Sequence, residues 1–194
     1  TSGILLFARN QVAAARLQKQ REEGKLQKKY LALAEGDLSE ANDSVFWKEI
    51  AIPLAPDPEN PMKMKISPDG LLPGSRNAVT YYKNIKSFGN VPLVELQLET
   101  GRTHQIRVHM SGIGHPLLGD TMYNPRVCLK MSNSKEKKNT EGRINNRNDC
   151  FKRAALHAWK LTFCHPFTDE IITLEAPLPD DFCRFLNANE EEKT

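Results

Sequence analysis

An α+β domain, with a largely antiparallel mixed sheet flanked by a few helices, is the fold class that three features of this 194-residue sequence predict. Apolar and polar residues alternate in short runs, the period of a half-buried strand. Most of these runs are separated by turn residues rather than by long helical stretches, which favours hairpins over parallel crossovers. Three segments carry the apolar spacing and end signals of a helix, too few to clothe a parallel sheet.

Residues 2 to 8 read as a buried strand. Gln11 to Glu23 reads as an amphipathic helix with Val12, Ala15 and the stem of Arg16 turned inward, stopped by Gly24. Lys29 to Ala34 is the next strand, and its alternation puts Tyr30, Ala32 and Ala34 on one face. Prolines from Pro53 to Pro73 punctuate residues 37–77, leaving short strands around Phe46 to Ile52 and Met62 to Ile66. Tyr81 to Phe88 and Val91 to Leu98 form a hairpin about Gly89-Asn90. That second strand breaks at Thr100-Gly101, after which Thr103 can cap a short helix stopping at Gly112 or Gly114. On that helix Thr103, His104 and Arg107 share a polar side, while Ile106 and Met110 pack on another. Residues 124–149 have low complexity and no apolar face, which predicts a disordered insertion. Trp159 to Phe163 and Ile171 to Leu174 give a last hairpin, and Pro179 to Leu186 a final helix. The domain thus covers 1–186, and 187–194 is an acidic tail.

The composition, 39% hydrophobic and 26% charged, is ordinary for a soluble globular chain. No apolar run approaches the ~20 residues that cross a bilayer, so no membrane partner is expected. Cys128, Cys150, Cys164 and Cys183 stand singly, which argues against a disulfide framework and a zinc site and for a reducing compartment. The net charge of +3 is unevenly spread: residues 16–30 hold six Lys or Arg against two Glu, and residues 124–153 hold nine against three acidic residues. Two basic stretches on one groove would suit the phosphates of RNA.

The densest motif is Leu98-Glu-Thr-Gly-Arg-Thr-His-Gln-Ile-Arg-Val-His109, followed by Gly114-His-Pro-Leu-Leu-Gly-Asp120. It resembles the signature of the RluA-type RNA pseudouridine synthases. Thr1-Ser-Gly-Ile-Leu-Leu-Phe-Ala8 resembles the second half of that family's His-Arg-Leu-Asp-x-x-Thr-Ser-Gly motif, and Leu26-Gln-Lys-Lys-Tyr-Leu-Ala-Leu-Ala-Glu-Gly36 its Lys-x-Tyr segment. Leu156 to Glu170 and Glu175 to Phe182 resemble its closing motif. Four motifs in the family's order span residues 1 to about 182.

The resemblance implies the pseudouridine synthase fold, with a central RNA-binding cleft across the sheet, and isomerisation of uridine in structured ribosomal or transfer RNA by a monomer that uses no cofactor and no metal. The nucleophilic aspartate would stand three residues before Thr1, so these residues alone are expected to be inactive. Arg107 would pair with that aspartate. Tyr30 would stack on the target uracil and be the candidate acceptor of its C5 proton, and Leu156 would pack beneath the base. Arg102, His104, Lys28, Lys29 and Thr1 are the further RNA-binding candidates. Asp120 reads as a structural cap or turn residue. Location would be cytoplasmic, or organellar if a targeting segment precedes Thr1. Two other classes remain: a catalytically inactive RNA-binding relative, and a metal-dependent hydrolase using the five histidines, whose spacings do not suit a shared metal.

Overall fold

The structure is a computed structural model that describes residues 1–38, 46–125 and 151–190. Its elements in chain order are β1 (Ser2–Gly3), α1 (Gln11–Glu22), β2 (Gln27–Leu33), β3 (Lys48–Ala51), β4 (Leu54–Asp57), β5 (Asn60–Ile66), β6 (Val79–Ser87), β7 (Pro92–Leu98), α2 (Gln105–Gly112), β8 (Leu156–Cys164), β9 (Ile171–Glu175) and α3 (Asp180–Glu190). Seven strands form one sheet in the order β1-β8-β2-β7-β6-β3, with β9 on the same edge of β8 as β1; β4 and β5 form a separate hairpin. Every pairing is antiparallel except that of β1 with β8.

The alternation of β2 organises the core. Ala32 and Ala34 face a cluster with Val94, Leu96, Ile106, Met110, Leu117 and Leu156, against which Tyr30 packs. Leu31 and Leu33 point the other way, into Phe88, Phe151, Phe182 and Phe185. Helix α2 thus covers one face of the central strands and α3 the other, so β2 is buried from both sides. Phe182 is fully buried and meets Phe151 edge to face at 5.5 Å. Each such side chain contributes about 1.5–3 kcal/mol by leaving water. The β6–β7 turn closes on Gly89-Asn90, with Phe88 and Val91 exchanging backbone hydrogen bonds of 2.9 and 3.3 Å and Gly89 at φ +58°.

Several expectations need correction. The strand read over residues 2–8 is paired only at Ser2–Gly3. Gly3, at φ +102°, lies so close to β8 that a Cβ would collide with the Ala158 carbonyl. Beyond it the chain leaves the sheet, and Leu5 and Phe7 are 69% and 77% exposed. Helix α1 presents Ala13, Leu17 and Gln20 inward, not Val12 and Ala15. Its anchor is polar: the Gln20 amide donates to the Cys164 carbonyl at 2.7 Å and accepts the Cys164 N–H at 2.9 Å, clamping helix to strand end. Strand β4 was hidden by Pro56 inside it, which a two-stranded hairpin tolerates. Helix α3 continues four residues past Leu186. The insertion expected at 124–149 lies outside the described residues from 126 onward, and Asn124 itself is fully buried, donating to Glu35 and to the Leu117 carbonyl.

Candidate active site

The site begins where β7 ends. The Thr100 hydroxyl oxygen accepts the Val79 N–H at 3.0 Å and its proton goes to Gln105 Oε1 at 2.9 Å. The same Oε1 accepts the Arg102 N–H at 2.9 Å, while Gln105 Nε2 donates to the Val79 carbonyl and to Thr80 Oγ1. One buried amide therefore fixes the turn between β7 and α2 and ties both to β6. This corrects the capping role read for Thr103. The residue before α2 is His104, in the left-handed region at φ +55° and without a side-chain capping bond. Gln105 can satisfy the turn from inside the helix because its two amide atoms serve opposite partners.

The network continues inward. Thr80 Oγ1, already an acceptor from Gln105, donates to His109 Nδ1 at 2.9 Å, and His109 Nε2 donates to the Ile52 carbonyl at 2.8 Å. His109 is fully buried as the neutral imidazole, and burial pushes its pKa below the ordinary value. Two residues earlier on the helix, Arg107 donates from Nε and Nη2 to the two oxygens of Asp120, each at 2.7 Å. The Asp120 side chain is fully buried, and its Oδ1 also accepts the N–H groups of Met122 and Tyr123. Burial raises its pKa, but the Arg107 bonds and the two N–H groups together overcome this, and the net shift is downward. Tyr123 completes the arrangement: its ring centroid lies 4.9 Å from the Arg107 guanidinium carbon, and its hydroxyl accepts the Met64 N–H and shares a hydrogen bond of 2.9 Å with His104 Nδ1.

Asp120 takes the Nε–Nη2 edge of Arg107 and leaves Nη1 without a hydrogen-bond partner among the described residues. Arg107 lines a cavity of about 280 Å³ together with Thr1, Tyr30, Leu98, Arg102, His104, Gln105, Ile106 and Leu156. Six of the eight residues singled out in the sequence thus meet in one place. Tyr30 arrives from β2, where the pairing with β8 slips by one residue and leaves Trp159 as an extra residue beside it. Such a bulge re-aims the side chains around it. Burial pushes the Tyr30 phenol up, only partly opposed by Arg21, so it is neutral at pH 7. His104 is held below its ordinary pKa, first by burial and then by Arg107.

The remaining two lysines part company by alternation. Lys28 is on the Tyr30 face and lines an adjoining groove. Lys29 is on the opposite face and is not brought to the cavity: its ammonium is 3.0 Å from Glu95, which Lys83 also pairs, and 5.6 Å from the Trp47 ring. The other histidines are bonded locally, His115 Nδ1 to the Glu35 carbonyl and His157 to Ser2, while His165 accepts from the Thr168 backbone. Among the described residues no group of three His, Cys, Asp or Glu could hold a metal ion, and no helix is long and apolar enough to cross a membrane.

The sequence motifs do not mark Gln105 or Tyr123 as organisers and do not pair Asp120 with Arg107. The spacing from Arg107 to the Gly119-Asp120 turn was a usable signal, since a carboxylate in such a turn accepts neighbouring N–H groups and can keep a second oxygen for a cation.

Residues 1–112 match the sequence profile described as RNA pseudouridylate synthase. A Bacillus subtilis strain 168 protein named uncharacterized RNA pseudouridine synthase YhcT is 39% identical over 183 residues, covering 93% of this chain and 50% of that protein. Ribosomal large subunit pseudouridine synthase D of Haemophilus influenzae is 36% identical over 188 residues, covering 97% and 52%. Among solved structures, human RNA Pseudouridylate Synthase Domain Containing 1 superposes with a TM-score of 0.62 at 27% identity, covering 89% of this chain and 62% of that one. The chain belongs to the RNA pseudouridylate synthase family. It spans about half the length of the curated relatives it matches.

Proposed function

We propose that the protein carrying this chain converts specific uridines to pseudouridine in structured ribosomal or transfer RNA, acting as a monomer in the cytoplasm. The observation that carries this reading is that Tyr30 from β2 and Arg107 from α2 line the same base-sized cavity, with Thr1 in its wall. In this reading residues 1–190, to the end of α3, are the part of the catalytic domain that follows the nucleophile, with an insertion after the buried Asn124.

The target uridine must leave its stack, which costs least in a loop. Its base then lies against Tyr30, with Leu98, Ile106 and Leu156 as apolar walls that keep water away. Breaking the bond from C1′ to N1 builds positive charge on the sugar, which a carboxylate entering from before Thr1 stabilises or traps. The free edge of Arg107 faces that carboxylate and keeps it ionised, while Asp120 holds the guanidinium in place. Uracil turns, bonds through C5 and loses the C5 proton. Tyr30 is a neutral phenol at rest, suited to stacking; as the proton acceptor it works through its small ionised fraction, a base strengthened by the same burial. Arg102 and Lys28 contact phosphate, His104 hydrogen-bonds RNA at the rim, and Lys29 serves the sheet's other face.

The test is to map pseudouridine in cellular RNA with and without the gene. Sites that vanish on deletion and return with the wild-type gene support the reading. Salt-sensitive RNA binding by the full natural length protein, with no site lost on deletion, would make it an RNA-binding relative instead.

A further inference from the structure

The cavity around Arg107 does not end at Tyr30. A second groove of about 440 Å³ shares Tyr30, Leu98 and Arg102 with it and continues between α1 and the turn after β7. This volume falls within the ~300–1,000 Å³ of small-molecule sites. Its apolar surface includes Leu17 of α1, Leu26 just before β2, and Leu98. Its cations come from three segments remote in sequence: Arg21 on α1, Lys28 on β2 and Arg102 in the turn.

These cations are placed but not neutralised. Arg21 Nη2 donates to the Gly101 carbonyl at 3.1 Å, and the guanidinium lies so close that a Cβ at residue 101 would stand 2.5 Å from Nη2 and 3.3 Å from Cζ. Glycine at 101 therefore leaves room for the guanidinium in this position. Arg102 Nε donates to the Asn77 carbonyl at 3.1 Å. None of the three makes an ion pair among the described residues. Burial, and then the charge of Arg21, lower the pKa of Lys28, as expected where like charges gather without a counter-charge. Glu99 is the one carboxylate among the described lining residues, and it already accepts the Tyr81 hydroxyl at 2.7 Å.

We propose that this groove binds the nucleotide next to the target uridine in the same RNA strand, its phosphate on Arg21, Lys28 and Arg102 and its base on Leu17, Leu26 and Leu98. The inference rests on reading the adjoining cavity as the site of the uracil. Three observations favour this occupant. The groove adjoins the cavity, the two sharing Tyr30, Leu98 and Arg102 in their walls, so a strand with one base in the cavity can place its neighbour here. Three unpaired cations match a phosphodiester. An apolar floor suits an unstacked base, whereas a duplex would present its phosphates and leave that floor uncovered. Arg21 is then a binding and positioning residue for the neighbouring nucleotide, outside the motif-bearing residues.

The test uses the full natural length protein and two substitutions, Arg21→Ala and Lys28→Ala, with Arg21→Lys as the conservative control. Arg21 is exposed on α1, so its loss leaves the fold intact. Binding of oligouridylates of one to four nucleotides is measured across a salt series, and turnover on total RNA from a strain lacking the gene. Wild type gains affinity from one nucleotide to two, and Arg21→Ala loses most of that gain. Its salt dependence falls by about 0.7 in the log–log slope, one phosphate contact on a single strand. Its KM rises about tenfold with kcat within twofold, and Arg21→Lys recovers part of the loss. Unchanged dinucleotide affinity and slope in both alanine variants would overturn the groove. If wild type forms no pseudouridine, the functional reading fails; the binding series still decides the groove separately.

Discussion

Arg107 and Asp120, thirteen residues apart, form a two-point ion pair with both hydrogen bonds at 2.7 Å, and the carboxylate has no exposure to solvent. The residue proposed for the reaction therefore also holds part of the fold, because it supplies the only counter-charge bonded to the buried Asp120 among the described residues. The same pair aims the remaining edge of the guanidinium.

Arg107→Ala is accordingly expected to destabilise the protein as well as stop its reaction. Removing one partner of a buried pair costs about 3–5 kcal/mol, and for a chain of this size each kcal/mol lowers Tm by about 2–4 °C. Arg107→Lys keeps a charge but loses the two-point geometry, and is expected to melt between alanine and wild type. Calorimetry on the three proteins checks the order; an alanine variant melting with wild type would remove the pair from the fold.

Acid should expose the same pair. Asp120 has a folded pKa below the ordinary carboxylate value, so its contribution is complete above about 3.9 and is lost as pH falls below that. Urea unfolding between pH 6 and pH 3 should show falling stability at the acid end, and Asp120→Asn should flatten that fall while starting from a lower plateau. An equally steep acid limb in the variant contradicts the assignment.

A second pH window belongs to the histidines. His109 and His104 both have folded pKa values below the ordinary one, so each favours folding above about 6.5 and withdraws that support as pH falls below it. His109 has the clearer cause, since a proton on Nδ1 would break the bond it accepts from Thr80. Between pH 7.5 and 5.5 the urea midpoint should drop, and His109→Gln should drop less over the same interval. Parallel slopes would refute this.

Tyr30 separates stacking from proton transfer. Tyr30→Phe keeps the ring and loses the hydroxyl, whereas Tyr30→Leu loses both. If the hydroxyl takes the C5 proton, the phenylalanine variant should bind RNA as wild type does and lose kcat by at least about 100-fold, the lower range for acid–base groups. If the leucine variant alone is impaired, the role is stacking. Wild-type turnover in both would take Tyr30 out of the site.

How far the sequence revealed this arrangement depends on the kind of force involved. Alternation placed Tyr30, Ala32 and Ala34 on one face of β2, and Ile106 and Met110 on the inner side of α2, because apolar burial writes a period into the chain. The β6–β7 hairpin was legible at Gly89-Asn90 because a two-residue turn needs those backbone angles. Gln20 and Gln105 were not legible as anchors, and Asp120 was legible as a turn residue but not as the partner of Arg107. Each works by hydrogen-bonding backbone or side chains remote in sequence, and a polar residue reads the same whether it faces water or clamps a strand end. The motifs marked Arg107 and Tyr30 as candidates, but only the fold shows that β2 and α2 bring them to one cavity. Arg21 was legible only as one of six basic residues in 16–30, because what sets it apart is its bond to the Gly101 carbonyl, eighty residues away.

The most direct test of the central claim is to incubate the full natural length protein with total RNA from cells lacking its gene and count pseudouridine at single-nucleotide resolution. The wild-type protein should restore discrete sites, while Arg107→Lys, folded and still retained on RNA at low salt, should restore none. Restoration of the same sites at the wild-type rate by Arg107→Lys would contradict the account.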